Sequence, residues 1–370
     1  MIDTKVALIH DWFPVRRGGE KVFEVFAEIF PEASLYALFH FKDSQIEALE
    51  SRGIQTSFIQ RLPFLKKKFR HYLPLFPQAV ELFDLQEYDL ILSSSHCVAK
   101  GAIPRPDALH VCYVHSPVRY AWNQYFSYFG PQKLGVFSRF IIPPIIHYLR
   151  MWDTGSNHRV DHFIANSKAV AQRIKRYYKR EADVVHPPVD TDFFNPGDVQ
   201  EDYFLVVSAL VPYKRIDLAI QAFNRTGKIL KIVGQGPENK TLKKIAGRNI
   251  QFLGYQDDKH LLSLYQRAKA LIMPGEEDFG INCLESQACG VPVIAFGQGG
   301  ATETVIPGKT GLHFKDSTPE SLLETLERFE NFNADKNSIR SNALGYSRTA
   351  FKEKISSYIK EKWETHKAGS

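Results

Sequence analysis

Two runs of short apolar segments, each segment followed by a helix-periodic stretch, constrain this chain more than any single residue does. The first run is Lys5–His10, Asp89–Ser95, His110–Ser116, His162–Ser167 and Asp183–Val189. The second is Tyr203–Leu210, Ile229–Val233, Ile250–Leu253, Ala270–Met273 and Val291–Phe296. After the first segment, Val22, Val25, Phe26 and Ile29 fall at helical spacing. Strands this short and apolar, alternating with helices, are those of parallel sheets buried on both faces. The expected fold is therefore α/β, with two doubly wound, Rossmann-like domains. A length of 370 residues suits two such cores. The turn signal Asn195-Pro-Gly197, within Asp190–Asp198, marks the expected linker, giving domains 1–192 and 193–345. The tail from about 346 to 370 is expected to be an amphipathic helix carrying Phe351, Ile355, Tyr358, Ile359 and Trp363.

Composition excludes several classes. The net charge of +6 is too small and too evenly spread to suggest nucleic-acid binding. Cys97, Cys112, Cys283 and Cys289 form no CxxC pair and lie in or beside apolar runs, so buried reduced thiols and a cytoplasmic location are expected. Asp3, Lys5 and Asp11 interrupt the apolar run near the start, unlike a signal peptide. Arg139, Pro143-Pro144, His147 and Arg150 break the apolar stretch Leu134–Trp152, so it should not span a bilayer.

Chemistry concentrates in Pro274-Gly-Glu-Glu-Asp-Phe-Gly-Ile-Asn-Cys-Leu-Glu-Ser-Gln-Ala-Cys-Gly-Val-Pro292. A strand end there meets a glycine turn and a helix start, which aims backbone N–H groups at an anion. Glu277 and Glu285 stand eight positions apart, a spacing shared with Glu20/Glu28, Glu24/Glu32 and Glu353/Glu361. Position, not spacing, singles them out, and their carboxylates can accept from sugar hydroxyls. Asp278 beside them reads as a solvated helix-start acid. In Arg16-Arg17-Gly18-Gly19-Glu20 the paired glycines allow backbone to approach a phosphate, or simply make a tight turn. His115 ends an apolar run before Ser116-Pro117, at the rim where a parallel strand opens on its cleft. Lys214 and Arg215 open a helix and can neutralise a diphosphate, or form a solvated basic start. Gly234 and Gly236 give a turn with room for a base, near Gly254-Tyr255-Gln256, or only cap a strand. The basic and aromatic run Arg61–Tyr72, with Arg173–Arg180, is either an exposed face or a contact for anionic headgroups.

The Pro274–Pro292 segment resembles the E-x7-E signature of the family 4 retaining glycosyltransferases, which have the GT-B fold. His10-Asp-Trp-Phe-Pro…Arg17-Gly-Gly-Glu-Lys-Val is similar to the opening of the WbaZ-type O-antigen mannosyltransferases. The resemblance implies two domains facing each other across a cleft, with the terminal helix packing back on the first. It implies a sugar-nucleotide donor, with mannose from GDP-mannose the expected one, and a lipid-linked or growing surface glycan as acceptor. Gly18 and Gly19 would touch the donor diphosphate and acceptor, and His115 the donor sugar, with Arg119 and Trp122 on the acceptor side. Lys214 would hold the diphosphate. Glu277 would take the sugar hydroxyls and Glu285 the ribose, with backbone N–H groups from Phe279, Gly280 and Ile281, so binding displaces the acid/base reading of the two carboxylates. The chain departs from the family in two places. Ala209 replaces the usual arginine before Leu-Val-Pro, and Arg215 stands where glycine is common, so Arg215 is a candidate to restore the lost charge.

No metal is implied, because no acidic Asp-x-Asp site is expected in the chain, and cationic side chains and helix N-termini can neutralise the leaving diphosphate. Contact with an anionic membrane is expected only at its inner surface. The rivals are a sugar-nucleotide 2-epimerase or a phosphorylase on the same architecture, and a non-catalytic binding protein. A phosphorylase would need a lysine for pyridoxal phosphate, and none is identifiable. A dehydrogenase lacks its dinucleotide fingerprint.

Overall fold

The computed structural model describes residues 4–369 except 17, 43, 45, 131–134 and 334. It divides into two compact units, Met1–Pro187 with Phe351–Ser370, and Pro188–Ala350.

The first unit is built on a seven-stranded sheet in the order β3-β2-β1-β4-β5-β6-β7. Its strands are β1 Val6–His10, β2 Ser34–Ala37, β3 Ile54–Thr56, β4 Leu90–Ser95, β5 Leu109–Val114, β6 His162–Ala165 and β7 Asp183–Val184. All pairings are parallel, with Ala7 opposite Ser34 and Val6 opposite Leu90. Every residue of β1, β4 and β5 is buried, which is why these strands read as largely apolar rather than alternating, the buried polar residues being His10, Ser93 to Ser95 and His110. Helix α1 (Gly18–Ile29) buries Val22, Val25 and Phe26 against the sheet. Helices α2 (Val136–Gly155) and α3 (Lys168–Tyr178) follow β5 and β6.

The second unit carries a six-stranded parallel sheet in the order β10-β9-β8-β11-β12-β13. Its strands are β8 Phe204–Val207, β9 Leu230–Val233, β10 Ile250–Gly254, β11 Ala270–Met273, β12 Val293–Phe296 and β13 Gly311–Phe314. Helix α4 (Ile216–Thr226) follows β8, and α5 (Ile281–Ala288) follows β11. The terminal helix α6 (Arg348–Gly369) buries Phe351, Ile355, Ile359 and Trp363 in the core of the first unit, among Leu8, Phe26 and Tyr113.

Strand order reverses between β1 and β4 in one sheet and between β8 and β11 in the other. Loops leaving such a pair of strands diverge to opposite faces and open a crevice at their carboxyl ends. The candidate residues gather there because they occupy those loops. All four cysteines are buried and unpaired, and burial pushes the Cys112 thiol up to about 12. Among the described residues, no helix is long and apolar enough to cross a membrane.

Candidate functional site

In the second unit the loops after β8 and β11 bring Lys214 and Glu277 together. The Lys214 ammonium donates to Glu277 Oε1, and both side chains are largely buried. The approach is close because residue 275 is glycine: a Cβ there would lie 2.7 Å from the Lys214 Cα. Gly299 and Gly300 play the same part behind Glu277 and Phe279, where added Cβ atoms would meet backbone at 2.3 and 2.2 Å. Gly280 enters α5 at φ +84°, a left-handed conformation that glycine adopts without strain. The first N–H groups of α5 have no partner within the helix, which makes its start an anion-binding end. Phe279 contributes only backbone there, since its ring is buried beside Tyr346.

Glu285, one turn further along α5, is buried and accepts from the Tyr265 hydroxyl at 3.1 Å. Asn282 anchors α5 to β8 through the Val207 carbonyl at 2.7 Å. Asp278 is 8% exposed, so the expectation of a solvated acid is corrected: the turn folds it inward. Gly234 lies at φ +131°, with room for a Cβ only 1.8 Å from the Ser208 carbonyl oxygen. It therefore lets the loops after β8 and β9 touch, as Gly236 does against Leu210.

Arg215 sits at φ +51°, the left-handed region, which explains why glycine suits this position. Its guanidinium reaches both oxygens of Asp217 at 3.2 Å and Ser317 Oγ at 2.7 Å, while Lys214 alone of the two cations pairs with Glu277. Half-exposed ties of this kind contribute little, whereas a strained non-glycine residue costs about 1 kcal/mol. Arg215→Gly should therefore hold or raise stability by up to about 1 kcal/mol, and Arg215→Ala, which keeps the strain, should lower it. Urea unfolding read by circular dichroism checks the order; an alanine variant more stable than the glycine variant would contradict it.

In the first unit the loops after β1, β4 and β5 converge on His115. An added Cβ on Gly19 would contact His115 Nε2 at 3.5 Å and His10 Cε1 at 3.6 Å, so the glycine pair and the histidine share one site. Gly18 opens α1 beside it. Arg16 folds back on Glu24, at 2.6 and 2.9 Å, and Arg17 lies outside the described residues. Ser94 Oγ bridges His10 Nδ1 at 3.1 Å and His115 Nε2 at 2.8 Å. His10 Nε2 is buried with no partner, and a buried orphan N–H costs more than an orphan lone pair. The proton of His10 therefore sits on Nδ1 and donates to Ser94, whose hydroxyl donates to His115 Nε2. His115 is left as the Nδ1–H tautomer. Burial, with His96 and His115 close by, holds the His10 pKa well below the usual histidine value.

Asp11, fully buried, accepts from the N–H groups of His96, Cys97, Val98 and Ala99 at 2.6 to 2.9 Å. It fixes the loop after β4 that carries the rim of this site. Ser94, Asp11 and Tyr265 escape sequence reading, because a serine in an apolar run and an aspartate after a strand carry no spacing signal. Trp122 is turned inward, its indole N–H on Asp153 at 2.7 Å and its ring stacked on Tyr177. Arg119 lies on the same post-β5 segment, half-buried. The chain does contain one Asp-x-Asp triplet, Asp190-Thr-Asp192. It makes a turn before β8, with Asp190 accepting from Phe193 N at 3.1 Å.

His110, near the start of β5, accepts from Ser93 and donates to the Arg159 carbonyl, and burial pushes its pKa down to about 4. Between the unfolded value near 6.5 and about 4, the unfolded chain binds a proton that the folded chain refuses, so stability falls as pH falls. Going from about pH 6.5 to about pH 5 should cost about 2 kcal/mol at this residue alone. All four tryptophans (12, 122, 152 and 363) lie in the first unit, so urea unfolding read by tryptophan fluorescence reports it selectively. His110→Gln should flatten the pH dependence; an unchanged slope would contradict the assignment.

Two doubly wound units, each with its polar groups at a switch point, define an α/β protein of the GT-B class. Solved structures agree on the fold: sucrose-phosphate synthase from Thermosynechococcus elongatus superposes with a TM-score of 0.75 at 16% identity, over 98% of this chain and 100% of that one. Anabaena HepE in complex with UDP-glucose gives 0.70 at 17% identity, over 96% and 99%. Residues 190–345 match the model of glycosyl transferases group 1, and residues 35–193 that of glycosyltransferase family 4. These two glycosyltransferase models adjoin and together span residues 35–345 of the chain. Among curated relatives, an uncharacterized glycosyltransferase of Methanocaldococcus jannaschii is 28% identical over 210 residues, 55% of this chain and 59% of its own length. A D-inositol 3-phosphate glycosyltransferase of Mycobacteroides abscessus is 30% identical over 199 residues, 45% of each. The chain thus spans about half the length of the curated relatives it matches.

Proposed function

We propose that the protein is a retaining glycosyltransferase that moves a hexosyl unit from a sugar nucleotide to a lipid-linked or growing surface glycan. The single observation that carries this is the Lys214–Glu277 pair at the start of α5, a cation and a hydroxyl-accepting carboxylate held together at an anion-binding helix end. In this reading Lys214 and the helix start neutralise the departing diphosphate, Glu277 orients the sugar hydroxyls, and Glu285 takes the ribose. Gly18 and Gly19 give the diphosphate and acceptor room, and His115, presenting Nδ1–H, donates to the sugar. Arg119 is the acceptor-side candidate; Trp122 supports that side through Asp153. The C1–phosphate bond breaks as the acceptor oxygen bonds C1 on the same face. The acceptor proton passes to the departing phosphate oxygen. Positioning and electrostatics supply the rate.

Mannose from GDP-mannose is the donor we propose, on the resemblance of His10–Val22 to WbaZ-type O-antigen mannosyltransferases. A UDP-sugar is the second reading, favoured by the UDP-glucose bound in the Anabaena relative. Incubation with labelled GDP-mannose, UDP-glucose and UDP-galactose, with a polyprenyl-linked glycan as acceptor, separates them. Transfer from GDP-mannose is expected; transfer from a UDP-sugar alone would replace the mannose reading. Conversion of the donor without acceptor would replace transfer by epimerisation.

A further inference from the structure

Helix α2 presents an apolar stripe outward. Val136, Phe137, Phe140, Ile141 and Met151 are 56 to 84% exposed, while Ile146, Leu149 and Asp153 on the opposite side are buried. Phe137, Phe140, Ile141, Pro144, Tyr148 and Met151 recur at three- and four-residue spacing, which puts them on one face. Ordinary surface helices turn such a face to the core; this helix has one of each kind, with only the inner one used.

The surroundings are cationic. Residues 69–75 adjoin α2, because Leu73 packs on both the Ile146–Leu149 cluster and the core beneath β1 and β4. Just before them Lys66, Lys67 and Lys68 are exposed, Lys68 lying over the ring of Phe64, which is itself 72% exposed. Neither the stretch between Glu50 and Glu81 nor that between Asp107 and Asp153 contains an acidic residue, and together they hold ten Lys and Arg. Two of the ten, Arg52 and Arg150, are spent on backbone carbonyls, as is Arg180 of the other basic run, which leaves Lys66 to Lys68 as the exposed cationic cluster.

We infer that the outer face of α2, with the 64–70 segment beside it, docks on a bilayer containing anionic lipid. Charge complementarity selects this occupant: a large apolar row bordered by lysines and free of carboxylates fits the boundary between acyl chains and anionic headgroups. The helix lies in that boundary rather than crossing it, since Arg139, His147 and Arg150 interrupt it. Phe137 and Phe140 are the inserting side chains, and Lys66 to Lys68 face the headgroups.

Co-sedimentation with vesicles tests this, using the full chain and no substrate, so its outcome is separate from that of any transfer assay. Binding is expected to vesicles of phosphatidylcholine mixed with an equal part of phosphatidylglycerol, and not to phosphatidylcholine alone. Phe137→Ser with Phe140→Ser should weaken binding about tenfold or more with the unfolding midpoint unchanged. Lys66→Glu with Lys67→Glu should weaken it comparably and reduce its salt dependence. Equal binding to both vesicles, or binding untouched by the phenylalanine changes, would overturn the proposal. So would vesicle-free dimers dissolved by those changes, which would assign the face to a second copy.

Discussion

Lys214→Ala and Glu277→Gln are each expected to lower kcat/KM for sugar transfer by about 100- to 1,000-fold, a loss typical of removing one preorganised electrostatic group. The double variant should be no worse than the weaker single one. The reason is geometric: the two groups form one ion pair inside a turn closed by Gly275, Gly299 and Gly300, so neither keeps its place without the other. Lys214→Ala should be the more damaging change. It leaves a carboxylate beside the leaving diphosphate with no cation, in a chain where Ala209 already supplies none. Steady-state kinetics over all four proteins checks this. Losses that multiply, or a single variant within about threefold of the parent, would show that the groups act separately.

Lys100→Ala should destabilise the first unit by about 3–5 kcal/mol, the cost of leaving a buried charge uncompensated. Lys100 and Asp153 are each 1% exposed and 3.1 Å apart. The ammonium also donates to the Asp153 carbonyl and Ser156 Oγ, while Asp153 accepts from Trp122 and Tyr178. The network ties the turn after β4 to the end of α2 and to α3. Because the pair orients Trp122 as well, acceptor KM should rise in the same variant. Tryptophan-monitored urea unfolding reads the stability; a loss under about 1 kcal/mol would mean that water or rearrangement compensates the charge.

Much of this was legible in the sequence, for identifiable physical reasons. Strands buried on both faces are rich in apolar residues, and β1, β5, β8, β11 and the Leu90–Leu92 half of β4 stand out for that reason. Edge strand β3, with Gln55 exposed in its middle, and β13, with His313 half-exposed, carry no such run and escape notice, as does four-residue β2. The Lys214 and Glu277 motifs are visible separately, yet their pairing is not, since it depends on strand order that places β8 beside β11. The same limit hides Ser94, which becomes meaningful only when β1, β4 and β5 lie side by side. Asp278 departs from expectation because acidic residues at helix starts are commonly solvated, and here the glycine turn folds inward. At Arg215 the sequence displays the charge, whereas the left-handed backbone that makes glycine suitable there shows only in the fold.

Transfer with retention fixes the anomeric configuration of the product. Incubating the protein with GDP-mannose and a lipid-linked acceptor, then measuring the one-bond carbon–proton coupling of the new linkage by NMR, reads that configuration. An α-linked mannose is expected, matching the α-configured donor. A β-linked product would require attack from the opposite face and would contradict it.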